Sequence, residues 1–285
     1  MNLNPYIAVI IAAVLAGSSG VFIKLLNLPP ASITFFRLFI PVIILFCYFR
    51  WKQIKLFKGN YKIMLLASSL NAIRIFLYFV AYLFTSIGNA VIILFTWPIF
   101  AAIFGAVLLK EKVTLREFSL IFIAFIGIFI MYMNKEISFG DKDFIGMVAM
   151  LLSSIIFSLT ILIYKKELPN YSKEETIFYQ NFIGSIIFLP FIFINRPFPT
   201  LIQTSVASLY GLLIGIVVFL LFFYGLNKLK VSHYSLFTYF EVPSALVFSF
   251  IFFKEMITLN MFLGGLLIVA SGFLLKRKKE LIQQE

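Results

Sequence analysis

Charge is scarce in this chain: 13% of its 285 residues are charged, 24 of them Lys or Arg and only 12 Asp or Glu. Cysteine and histidine each occur once, as Cys47 and His233. A single cysteine excludes a disulfide framework and any multi-cysteine metal site. A single histidine removes most transition-metal and histidine-based catalytic schemes, so neither a metal nor a cofactor is expected. No G-x-x-x-x-G-K-[ST] stretch occurs, so the chain alone cannot drive transport with ATP.

What fills the sequence instead is apolar. Hydrophobic residues make up 62%, including 37 Phe, more than a soluble fold of this size can keep from water. The expectation is an all-α integral membrane protein. Runs of about 20 apolar residues predict ten transmembrane helices, near 5–26, 31–49, 63–83, 88–109, 117–133, 144–164, 176–194, 205–227, 233–253 and 258–275. Thr85-Ser86-Ile87-Gly88-Asn89 supplies a turn inside an uncharged run too long for one helix. Pro197-Phe198-Pro199-Thr200 reads as an extended loop that delays the eighth span to about Ser205. The small residues Ala16 to Gly20 imitate a signal-peptide cleavage site, but no basic segment precedes them, so residues 5–26 are read as the first helix. No loop is long enough to fold by itself. Function must therefore lie between the helices.

The basic residues sort by side. With the N-terminus inside, seventeen fall in cytoplasmic loops and the tail Lys276-Arg277-Lys278-Lys279; five, Lys24, Lys135, Lys142, Arg196 and Lys254, fall opposite; Arg37 and Arg74 lie within spans. That bias predicts a multi-pass protein of the plasma membrane with both termini cytoplasmic. Topology accounts for the positive charge, so nucleic acid is not an expected partner, whereas anionic lipid headgroups are.

An internal repeat is the most informative signal. Thr96-Trp97-Pro98, an apolar run and Lys110-Glu111-Lys112-Val113-Thr114-Leu115 are matched by Glu241-Val242-Pro243, an apolar run and Lys254-Glu255-Met256-Ile257-Thr258-Leu259. Upstream, Tyr82 to Pro98 aligns with Asn227 to Pro243 without a gap. The copies are taken as 1–135 and 143–279. Five helices per copy is an odd number, so the second enters the membrane upside down. Inverted repeats place a substrate site near the bilayer midplane and permit alternating access.

These features resemble the drug/metabolite transporter superfamily, specifically its ten-helix EamA branch. The resemblance rests on Ala16-Gly17-Ser18-Ser19-Gly20, Phe36-Arg37, Asn89-Ala90, and Pro98 followed by Lys110-Glu111 with its second copy. It implies a transporter of amino acids and related metabolites, sugar phosphates, nucleotide sugars or other small metabolites. Trp97 and Arg74 depart from the family pattern and leave the substrate open.

Charges near the midplane are the candidate chemistry. Glu241 lies about eight residues into the ninth span and Arg74 about eleven into the third, depths of roughly 12 and 16 Å. An isolated charge there costs about 2.5–3.5 kcal/mol, so each must face the interior and find a partner. Either Arg74 holds a substrate carboxylate while Glu241 engages an amine or carries a proton, or the two pair and lock the halves together. Asn71, Arg74 and Tyr78 share one helical face, and Tyr78, Trp97 and Tyr239 can wall a pocket. Ser18 and Ser19 either line the cavity or pack. Pro98 and Pro243 are expected to bend their helices and serve as hinges. Arg37, close to the outer end of its span, is expected to snorkel into a structural role. Gln180 and Asn181 are expected to hydrogen-bond between helices.

Three classes of function compete. A secondary transporter, most simply an amino-acid exporter working by alternating access, fits the repeat and the midplane charges. Its substrate could instead be neutral, apolar or phosphorylated. An intramembrane enzyme needs a catalytic constellation that one His and one Cys do not supply, so no enzymatic activity is expected. A non-transporting scaffold needs no midplane charges. Ten helices can enclose a cavity alone, so a monomer suffices.

Overall fold

The computed structural model describes residues 3–133, 141–194 and 198–282, with side chains described throughout except at 87, 141, 142 and 276–282. Lys135, Arg196 and Pro197, used above for topology and the eighth span, lie outside the described residues. All described secondary structure is helical. Ten apolar spans follow in order: α1 Pro5–Leu26, α2 Pro30–Trp51, α3 Tyr61–Phe84, α4 Gly88–Leu108, α5 Leu115–Tyr132, α6 Asp143–Glu167, α7 Lys173–Ile194, α8 Leu201–Lys228, α9 Val231–Phe253 and the shorter α10 Leu259–Leu275.

The sequence placed these helices to within a few residues, with α8 the clearest shift. It opens at Leu201, four residues ahead of the expected Ser205. Thr200 caps it reciprocally: the Gln203 N–H donates to Thr200 Oγ1 at 3.2 Å and the Thr200 N–H to Gln203 Oε1 at 2.9 Å. That box lets the helix begin directly after the proline-bearing loop. Thr114 with Glu117 opens α5 and Ser172 with Glu175 opens α7 in the same way.

Hydrophobic side chains face outward as well as inward; Leu83, Val107, Leu115 and Phe273 are among the most exposed. Helices apolar all round belong in a lipid solvent, which is where the excess Phe and Leu go. With lipid outside, hydrophobic segregation cannot hold the helices together, so close packing and internal polar contacts must. Glycines supply the close approaches. A Cβ on Gly127 of α5 would lie 2.6 Å from the Gly264 carbonyl of α10, and one on Gly17 of α1 would lie 2.9 Å from the Glu241 carbonyl of α9. The Gly211/Gly215 pair of α8 packs on Phe36, Arg37, Ile40 and Pro41 of α2.

Helix neighbours are arranged symmetrically. α1 packs on α8 and α9 as α6 packs on α3 and α4; α2 meets α8 as α7 meets α3; α2 meets α7, and α5 meets α10. Exchanging each helix with the one five places away maps this pattern onto itself. Since five is odd, the exchange inverts the chain across the membrane: ten helices as two inverted five-helix repeats.

Candidate functional site

Two of the helices are broken in their middles. In α4 regular helix ends at Leu94 and resumes at Trp97; in α9 it ends at Thr238 and resumes at Glu241. Pro98 and Pro243 each lack an N–H, and their rings obstruct the carbonyl four residues back. Each interruption of regular helix falls just ahead of its proline. Backbone groups freed inside a membrane need new partners. The Tyr239 hydroxyl donates to the Phe95 carbonyl at 3.0 Å, so the break in α9 satisfies the break in α4. On the other side of α4, the Ser158 hydroxyl of α6 donates to the Trp97 carbonyl at 2.8 Å, and Ser154 hydrogen-bonds Thr96 at 3.0 Å.

Beside these breaks lies a polar cluster. Asn71 is buried; its amide nitrogen donates to the Gln180 carbonyl at 3.0 Å, and its oxygen accepts from Arg74 Nε at 3.2 Å. This fixes the start of the Arg74 side chain and leaves the guanidinium over the Phe157 ring, 4.4 Å from its centroid. From α2, Arg37 lies 5.8 Å from the centroid of Phe219. A widened π turn at Leu213–Val218 of α8 sits opposite, with Gly215 against Pro41 and the Arg37 carbonyl. Such turns reposition the residues that follow them; here the first of these is Phe219. Glu241 is the first residue of the resumed α9.

Arg74 and Glu241 are enclosed by protein, Arg37 is half-buried, and Arg37 and Arg74 both act electrostatically on Glu241. Arg74 and Glu241 are nevertheless only half-buried at their own surfaces, as is Tyr78. Among the described residues none of the three charges lies within 4 Å of an opposite charge. The direct Arg74–Glu241 pair, one of the two arrangements open from sequence, is not formed.

The remaining candidates divide. Trp97 is 5% exposed and edge-on to Phe157, and Tyr239 is fully buried with its hydroxyl committed to Phe95. Both pack the breaks and do not border open space. Ser18 and Ser19 are half-buried at a kink in α1, where the Ser18 hydroxyl turns back to the Leu15 carbonyl. Arg37 is half-buried against Phe219 of α8 and also acts electrostatically on Glu241. Asn181 bonds within its own helix, to the Ile177 carbonyl. Sequence reasoning also missed Phe157 and Tyr164. The Tyr164 hydroxyl and Gln180 Oε1 are buried with no hydrogen-bond partner among the described residues, and neither carries a motif that could have revealed it.

At the bundle end that bears the chain termini, a second network ties helix ends together. Glu117 accepts from the Thr114 N–H at 2.7 Å, from Lys230 at 3.2 Å, and hydrogen-bonds His233 Nε2 at 2.7 Å; His233 Nδ1 meets the Tyr6 hydroxyl at 2.7 Å. Glu111 reaches from the α4–α5 loop to accept the Val231 N–H opening α9, at 2.7 Å. Burial holds the Glu111 carboxyl above the usual carboxylate range, against the pull of that N–H, Lys165 and Lys230. At the far end the repeat-related Glu255 is half-exposed, paired with half-exposed Lys24 of α1 and accepting from Ser249.

Comparison with known proteins accords with this architecture. An uncharacterized transporter of Archaeoglobus fulgidus is 23% identical over 290 residues, spanning 98% of this chain and 99% of that protein. The uncharacterized transporter YoaV of Bacillus subtilis is 24% identical over 257 residues, 87% of each chain. A solved crystal structure superposes with a TM-score of 0.83 over 95% of this chain and 98% of its own, at 12% identity, a likeness of fold. The model of the EamA-like transporter family matches residues 3–133 and again residues 144–277. The chain belongs to the EamA-like transporter family.

Proposed function

We propose that this membrane transporter moves a small organic metabolite carrying a carboxylate and an amine, an amino acid or close relative, by alternating access without ATP. The observation that carries the reading is the set of charges inside the bundle. Arg74 and Glu241 are held deep in the bundle, are only half-buried at their own surfaces, and form no ion pair with each other. A charge kept there without a direct counter-charge is costly, and a zwitterion bridging Arg74 and Glu241 offsets that cost while bound. Glu241 then engages the amine, or carries a proton when no amine is present. Asn71 holds Arg74 in place, and Tyr78 shares its helical face.

In this reading the two halves, 1–135 and 143–279, rock against one another, with the breaks at Pro98 and Pro243 as hinges. The network of Glu117, His233, Tyr6, Lys230 and Glu111 closes the end bearing the termini, which we place in the cytoplasm of a cell whose plasma membrane holds the protein. The looser Lys24–Glu255 contact marks the opposite gate. The family resemblance favours export. Membrane lipids and the substrate are the partners, and one chain suffices to enclose the site.

Counterflow in proteoliposomes tests it. Vesicles preloaded with an unlabelled amino acid mixture should accumulate labelled amino acid above the level of empty vesicles, and Arg74→Gln should abolish the excess. Accumulation equal to protein-free vesicles across amino acids would contradict the proposal.

A further inference from the structure

Arg37 makes the charges inside the bundle uneven. Two guanidinium groups, from α2 and α3, act electrostatically on one carboxylate from α9. A zwitterion satisfies Arg74 and Glu241 and leaves Arg37 unanswered. Arg37 has no hydrogen bond or ion pair among the described residues; its contact is the face of Phe219, 5.8 Å from the ring centroid. Arg74 is seated in the same manner, over Phe157. An aromatic face takes up the flat side of a guanidinium but none of its in-plane N–H donors. Both arginines are thus backed by a ring with donors remaining for a ligand, and planar donor forks match carboxylates and other oxyanions.

Depth separates the three groups. At 1.5 Å per residue, Arg37 lies about 10 Å from the far end of α2, Arg74 about 15 Å from that of α3 and Glu241 about 18 Å from that of α9. Their depths step by about 3–5 Å from one to the next.

We propose that the substrate carries two acidic groups and one ammonium: the site is built for an acidic amino acid. The α-carboxylate lies on Arg74, the ammonium on Glu241 and the side-chain acid on Arg37, so that every charge on each side is answered and the ligand's net charge of minus one meets the site's plus one. This deepens the transport reading above and rests on it. Arg37 is then the residue that separates acidic from neutral amino acids.

The test is counterflow in proteoliposomes with the full-length protein and five probes: glutamate, aspartate, O-phosphoserine, alanine and succinate. Wild type should move glutamate or aspartate in preference to alanine, and succinate, which lacks the ammonium, poorly. Arg37→Gln should lower acidic-substrate transport about tenfold or more, the weight of a lost charge-assisted hydrogen bond, while alanine transport holds or rises. Arg37→Lys, which keeps the charge, should keep the preference for acids. Preference for O-phosphoserine over both dicarboxylic amino acids would overturn the carboxylate assignment. Alanine transported in preference to every acid by wild type, with no change in Arg37→Gln, would overturn the proposal and leave amino-acid transport standing. Transport of none of the amino acids would instead sink the functional reading beneath it. Melting temperatures of both variants within the wild-type range keep loss of folding from imitating loss of selectivity.

Discussion

Tyr239 of α9 donates its hydroxyl to the carbonyl of Phe95 in α4, joining the two helix breaks across 144 positions of sequence. Each break exists because a proline withholds an N–H from the turn before it, and this one side chain crosses from one repeat to satisfy the other.

Pro98→Ala and Pro243→Ala should therefore express and fold, since alanine restores helical hydrogen bonding, yet transport several-fold more slowly. Initial rates in proteoliposomes normalised to inserted protein provide the check. Full turnover in both variants would place the hinge elsewhere.

The crossing of α5 and α10 is a backbone contact. A Cβ on Gly264 would fall 2.2 Å from the Gly127 carbonyl oxygen, and neither backbone can move aside cheaply. Gly264→Val should destabilise the protein by about 1–3 kcal/mol, the usual scale for overpacking, seen as a lowered melting temperature in detergent. Gly20→Ala, with nothing within 4 Å of the new methyl group, should be near neutral.

Glu111 supplies a pH dependence whose sign is fixed. Burial raises its carboxyl in the folded protein, so over the interval between its unfolded and folded values the folded state binds more protons. Stability attributable to this group is then highest at acid pH and falls as pH rises through the folded value. Melting temperature plotted against pH should show that decline in wild type relative to Glu111→Gln. A difference curve that is flat, or that rises with pH, would contradict the burial of this group.

Orientation is open to direct labelling. In a Cys47→Ala background, Lys52→Cys after α2 and Met256→Cys between α9 and α10 should react with impermeant thiol reagents from opposite sides of the membrane, Lys52 from the cytoplasm. Reaction from the same side would break the ten-helix count.

Much of this molecule was legible in its sequence because a membrane imposes a coarse rule: helices about 20 residues long, apolar, with charges at their ends. Pro98 and Pro243 pointed to the breaks, because each withholds an N–H from the turn before it, although Pro41 sits inside an unbroken α2. The contact of Arg37 with Phe219 depends on how α8 packs on α2, which the position of Arg37 along its helix does not reveal. Trp97 and Tyr239 were expected at the cavity because aromatic residues suit both packing and binding, and sequence does not say which carbonyl a tyrosine will meet. The Glu117–His233–Tyr6 network joins residues more than a hundred positions apart with no shared motif, so it emerges only from the fold.

The central claim is that Arg74 and Glu241 are kept for a substrate and not for each other. A double-mutant cycle with Arg74→Gln, Glu241→Gln and the pair together, read by both counterflow and melting temperature, tests it. The account predicts that each single variant melts close to wild type but loses transport by about tenfold or more, the scale of a lost charge-assisted contact, and that the double variant transports no better than either. Strongly destabilised single variants, with melting temperature and transport both recovered in the double, would be the behaviour of a resident ion pair, and would contradict it.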